Sequence, residues 1–193
     1  MKEKPATPGT LSAEELIAAA LDSGAAHAAV VETHVLKFDE MFRRLCEQNK
    51  CGHYGKNLMC PPRLGEYHEL VQKVRKYSRA LIFQTVHPLK SSLDIRGMHK
   101  GGIAHEQVVR KIRDLLGEKY GMTTILALSA GPCRYCPECG AKRDEPCGHP
   151  EKALPSLEAH GIDVSRLLEA CAIPYHHGKN TVSFVGGLFF SYP

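Results

Sequence analysis

Tryptophan is absent from this chain, aromatic residues of all kinds reach only 7%, and no apolar run is long enough to cross a bilayer. A membrane span needs roughly 20 such residues, so no membrane association is expected. The formal charge of +4 is mild for 193 residues. No basic arm carries interleaved aromatics, and without tryptophan base stacking is weakened, so nucleic acid is not an expected partner. The start, Met1-Lys2-Glu3-Lys4-Pro5, runs into a polar, Pro- and Gly-marked stretch with no apolar segment before a cleavage site. That predicts no signal peptide and a cytoplasmic protein. A P-loop, a dinucleotide fingerprint, a Ser–His–Asp set and a conspicuous carboxylate pair are all missing.

What is present is cysteine. Eight of them, without a secretion signal, argue against a disulfide framework and for metal binding or redox chemistry in a reducing compartment. Apolar residues make up 43%, a globular composition, and the length suits one domain over residues 1–193 with a loose tail at 1–10.

Periodicity predicts strands alternating with helices. Ser12 and Glu15 form a capping-box pattern ahead of a helical face made by Leu16, Ile17, Ala20 and Leu21, with Gly24 as the stop. Ala28 to Leu36 reads as a strand, and Phe38, Met41, Phe42 and Leu45 as a second helix ending near Cys46. Residues 50–65 read as a loop. Tyr67, Leu70, Val71, Val74 and Tyr77 mark a third helix, and Ala80 to Val86 a buried strand. Residues 88–102 are polar and Gly-rich and are predicted to be a loop, with room for mobility. Within them, Arg96-Gly97-Met98-His99-Lys100-Gly101-Gly102 is expected to precede a helix carried by Val108, Val109, Ile112, Leu115 and Leu116. Thr123 to Leu128 is a further strand, Asp163 caps a helix with Val164, Leu167, Leu168 and Cys171 on one face, and Thr181 to Phe190 is the last strand. The expected fold is α/β: a sheet of about four strands covered by helices, with cysteine-rich metal-binding loops.

The strongest motif is Cys133-x2-Cys136-x2-Cys139, followed by Cys147. Two-residue spacers turn successive thiolates inward around one compact object, and a four-iron cubane takes one thiolate on each corner. Zinc also binds four thiolates but usually through two separated C-x2-C pairs, so a [4Fe-4S] cluster is the better fit and zinc the alternative. Arg134, Lys142 and Arg143 are placed to offset a cluster's negative charge, and His149 is a substitute ligand should Cys147 not serve. The loop is expected to leave the C-terminal end of a buried strand, where ligands collect in open α/β sheets.

A second constellation is Cys46-x4-Cys51-x8-Cys60-Pro61-Pro62, set among Gly52 and Gly55. It matches no common zinc spacing. Three thiolates on a second cluster leave one iron open to a small molecule, the feature that separates catalytic from structural metal sites. His53 is a further candidate there, Tyr54 packs the loop, and Cys171 reads as an ordinary core thiol. His176-His177 are adjacent in an extended segment, point apart, and read as solvated surface.

Cys51-Gly52-His53-Tyr54-Gly55-Lys56-Asn57 with Cys60-Pro61-Pro62 resembles the N-terminal signature of the DUF2284 family of predicted metal-binding proteins. Ala130-Gly131-Pro132-Cys133, Cys136, Cys139 and Cys147-Gly148-His149-Pro150 resemble its central signature. Pro155-Ser156-Leu157-Glu158-Ala159 and Gly161-Ile162-Asp163-Val164 resemble the segment that follows. The resemblance runs from about residue 15 to about residue 190. It implies that Cys46, Cys51, Cys60, Cys133, Cys136, Cys139 and Cys147 are the metal-binding set, with Cys171 outside it, and that relatives belong to anaerobic bacteria and archaea. Gly148 departs from the pattern, which often has a basic residue there. The functional expectation is a redox protein with one or two clusters, acting with an unidentified redox partner or small molecule. The rival is a non-enzymatic module in which zinc or one cluster only pins a loop.

Overall fold

A computed structural model describes residues 11–191, so the tail expected at 1–10 lies outside the described residues. Four strands form one antiparallel sheet in the order β1 (His27–Glu32), β2 (Arg79–Pro88), β4 (Thr181–Phe190), β3 (Leu126–Leu128). β2 and β4 are the long central pair, with Arg79 opposite Phe190 and Pro88 opposite Thr181. Side chains alternate across a strand, so β2 sends Leu81 and Phe83 to one face and Ala80 and Ile82 to the other.

Each face is covered. On the first, α1 (Ala13–Asp22) and α4 (Ile95–Tyr120) bury Leu16, Ala20, Val109, Ile112 and Leu116 against Leu81, Phe83, Leu188 and Phe190. On the second, α3 (Tyr67–Arg75) and α5 (Val164–Ala170) supply Val74, Leu167 and Leu168 around Ile82, Leu128 and Phe189. Burial on both sides explains why β2 reads as one continuous apolar run. A Cβ on Gly186 would stand 3.0 Å from the Phe83 ring and 3.1 Å from Val109, so the glycine lets α4 sit close to the sheet.

The capping box of α1 is present: the Ser12 hydroxyl accepts from the Glu15 N–H at 3.2 Å, and Glu15 accepts from the Ser12 N–H at 2.9 Å. Gly24 follows the helix end with φ of 112°. Asp163 caps α5 by accepting from the Arg166 N–H. α2 covers Met41–Glu47, and Phe38, expected inside it, instead bridges to Ile162. β1 ends at Glu32, where its pairing with β2 runs out at Arg79, and a 3-10 turn over Thr33–Val35 follows.

The polar stretch at 88–102 is not all loop: α4 begins at Ile95 and runs 26 residues. Asp94 caps it, accepting from the Gly97 N–H at 2.9 Å. Its buried stripe starts with Gly101, Gly102, His105 and Glu106 before turning apolar at Val109. Arg96 to Gly102 are therefore the first two turns of the helix rather than a loop ahead of it.

Candidate metal centre

The sheet is antiparallel throughout, so the rule that ligands gather beyond the carboxyl ends of parallel strands does not apply here. The central cysteine loop does leave β3, and a different device holds it in place. The Ser129 N–H donates to the Pro155 carbonyl at 2.8 Å, and the Leu157 N–H returns to the Ser129 carbonyl at 3.0 Å. Gly131 then turns the chain with φ of 70°. The next anchor is Glu106 on α4, 1% exposed. Its carboxylate accepts from the backbone N–H of Arg134 at 2.9 and 3.2 Å, from Arg134 Nη1 at 3.3 Å and from Arg110 Nη2 at 2.6 Å. A buried anion thus grips the residue that follows Cys133.

Cys133, Cys136, Cys139 and Cys147 line one small pocket of about 30 Å³. The opposite wall comes from the first cysteine loop. Asn57 Nδ2 donates to the Cys133 carbonyl at 2.9 Å, and the Leu58 N–H points at Cys139 Sγ at 3.4 Å. Burial pushes the Cys133 thiol up, and the N–H groups of Leu154 and Tyr135 oppose it in part by favouring the charged form. His149 shares the pocket and meets Tyr135 edge-on. Lys142 and Arg143 are already paired with Glu138, and Arg143 also with Glu145, while Arg134 is engaged with Glu106. The three cations predicted to offset a cluster thus each already hold an acidic partner.

The first loop is shaped by left-handed turns. Asn49 has φ of 50°, Gly52 75° and Gly55 70°. Asn49 Oδ1 accepts from the Tyr54 N–H at 3.0 Å, and the Gly55 N–H donates to the Pro61 carbonyl at 2.9 Å. Cys46 sits in the last turn of α2, Cys51 is exposed, and Cys60 lies partly buried under the loop. Burial pushes the Cys60 thiol up to about 12, and negative charge on Cys51, Cys46, Cys133 and Cys139 adds to that effect. Cys46 is raised by burial and then by Cys51 and Glu158. Cys60 therefore lies within electrostatic reach of thiols in both loops. Burial lowers His53, with Arg134, His99 and Lys56 adding to the shift.

All eight cysteines are free. Among the described residues, no three His, Cys, Asp or Glu side chains surround a single ion position. A tetrahedral zinc with bonds of about 2.3 Å needs its sulfurs to crowd one point, whereas a cubane takes them on separate corners. Four thiols lining one pocket, with backbone N–H groups directed at sulfur, fit the chemistry of a cluster's donor set.

Cys171 stands apart at the C-cap of α5, packed against the second core, and burial raises its thiol to about 11. His176 is exposed, but His177 is not simply solvated: its Nε2 meets Gln84 Oε1 at 2.7 Å and its ring stacks on His27. Sequence reasoning gave no role to Glu106, to Glu158, or to Asn57 and Leu58 as a wall of the central pocket. Asn57 and Glu158 lay in motifs already singled out, and the contact of Asn57 with a carbonyl 76 residues away leaves no local signal.

The fold and site define a class: a helix-covered antiparallel sheet that presents free thiols on two interlocked loops. A family model for predicted metal-binding proteins, DUF2284, matches residues 29–190, and the chain belongs to that family. No curated protein and no solved structure matches it. No helix among the described residues is long and apolar enough to cross a membrane.

Proposed function

We propose that this is an iron–sulfur protein of the cytoplasm, a single domain in which Cys133, Cys136, Cys139 and Cys147 hold one [4Fe-4S] cluster. The observation that carries the reading is the lining of one pocket by all four of these thiols, each free. When bound, such a cluster supplies one-electron storage at a potential set by hydrogen bonds to sulfur and by solvent exposure. The chain's own part is to direct the Leu58 N–H at Cys139, to hold the loop through Glu106, and to limit water at the sulfurs.

Cys46, Cys51 and Cys60 form the second site, with one coordination position left to a small molecule. Its support is the mutual electrostatic reach of these three thiols and of Cys60 toward the central set. Two centres so arranged suit a redox role in which electrons pass between the loops.

Iron and sulfide analysis of protein purified without air tests this. The C60A variant is expected to keep the central cluster and lose the rest, about half the iron of wild type if both sites are four-iron clusters. Full iron in C60A removes the second site. A colourless wild-type protein with one zinc replaces the reading with a structural zinc module.

A further inference from the structure

A second cavity, about 450 Å³, opens between α5, the segment at 175–178, the start of β4 and the turn at Ala130–Gly131. That volume falls in the usual range for small-molecule sites, about 300–1,000 Å³. Arg134 and Glu158 line it; burial raises Glu158 toward its neutral acid, and an ammonium at the carboxyl draws it back to the charged form. Glu158 stands in one wall with Oε2 shut off from solvent and without a partner. Buried polar atoms are almost always paired, so this oxygen has room for one more donor. The terminal torsion of a glutamate is soft, so a small turn of the carboxyl brings an oxygen to the cavity side.

Arg134 stands in another wall. Its side-chain hydrogen bonds, to Glu106, Ala130 and Pro132, all leave from Nη1. The Nε and Nη2 edge, the fork that matches a carboxylate, is uncommitted. The one charge of Glu106 is shared between Arg110 and Arg134, so a positive excess remains. Gly102 and Gly131 make the room: a Cβ on either would stand 2.9 Å from the Arg134 guanidinium. Val164 and Leu168 give the cavity an apolar side.

We propose that this cavity binds a small amino-acid-like zwitterion, its carboxylate on the free edge of Arg134, its ammonium on Glu158 and its aliphatic body against Val164 and Leu168. The inference does not rest on the metal reading.

Calorimetry on the protein as purified without air tests it, with L-leucine, 4-methylpentanoate and 3-methylbutylamine as probes. Leucine is expected to bind at least about tenfold more tightly than either one-charge analogue, since 4-methylpentanoate brings no donor to Glu158 and 3-methylbutylamine brings no acceptor to Arg134. The E158Q variant brings leucine down to the level of 4-methylpentanoate and leaves the latter unchanged. Val164→Trp, at the half-buried start of α5, fills the cavity and abolishes leucine binding, which keeps the test open should E158Q fail to fold. Iron and sulfide are counted on the same wild-type samples, so failure of the iron count and failure of leucine binding are separate results. Equal affinity for the three probes, no leucine binding, or wild-type binding by V164W overturns the proposal.

Discussion

Replacing Glu106 by alanine removes the carboxylate that joins α4 to the central cysteine loop, and the structure sets the size of the effect. The side chains of Glu106, Arg110 and Arg134 are 2%, 12% and 17% exposed, so solvent does little to screen them. Removing one member of a buried ion pair costs about 3–5 kcal/mol, because the charge left behind is uncompensated. Here both guanidiniums retain carbonyl partners, Arg110 at Lys152 and Arg134 at Ala130 and Pro132. The loss for E106A is therefore expected at the lower end, about 3 kcal/mol. E106Q keeps an acceptor for the Arg134 N–H and gives up only the charge-assisted part, about 1–2 kcal/mol. Urea unfolding without air, followed by far-ultraviolet circular dichroism, measures both. E106A within about 1 kcal/mol of wild type would refute the buried-anchor argument, since only surface pairs are that weak.

Two further perturbations separate loop geometry from global stability. A Cβ on Gly140 would lie 2.9 Å from the Pro146 carbonyl and 3.0 Å from the Glu145 carbonyl, inside the turn that carries Cys139 to Cys147, whereas one on Gly148 meets nothing within 4 Å. G140A is expected to lower metal content and G148A to leave it unchanged; equal metal in both contradicts the tight-turn reading. His105 and His160 are held neutral by burial, down to about 3 and about 4 from an ordinary 6.5. The unfolded chain takes up these protons first, so stability is full above pH 6.5 and falls by several kcal/mol as pH drops from there toward 4. His160→Asn, whose amide can replace the Nδ1 donor to the Ser156 carbonyl, flattens part of that slope. Unchanged stability from neutral to acid pH in wild type counts against the burial of both rings.

Where chemistry is written locally, the sequence can be read directly. β4 spans Thr181–Phe190 as its apolar pattern predicts, and the caps at Ser12 and Asp163 are where their side chains say. The central thiols share a pocket because their spacing keeps them together on one short loop. What failed depended on distant partners. The first turns of α4 carry Gly101, Gly102, His105 and Glu106 on the buried stripe, so no apolar period announces a helix. Those residues are polar or small because they meet Arg134, His87 and Thr85 rather than hydrocarbon. The antiparallel sheet was also hidden. Apolar strands covered on both faces look alike in either direction, and only the pairing register distinguishes them.

Iron and acid-labile sulfide, quantified per chain in wild-type protein that has never met air, test the central claim most directly. A brown protein with about four or about eight irons, matched one for one by sulfide, is the predicted result. Stoichiometric zinc without sulfide, or no bound metal in a folded chain, would contradict it.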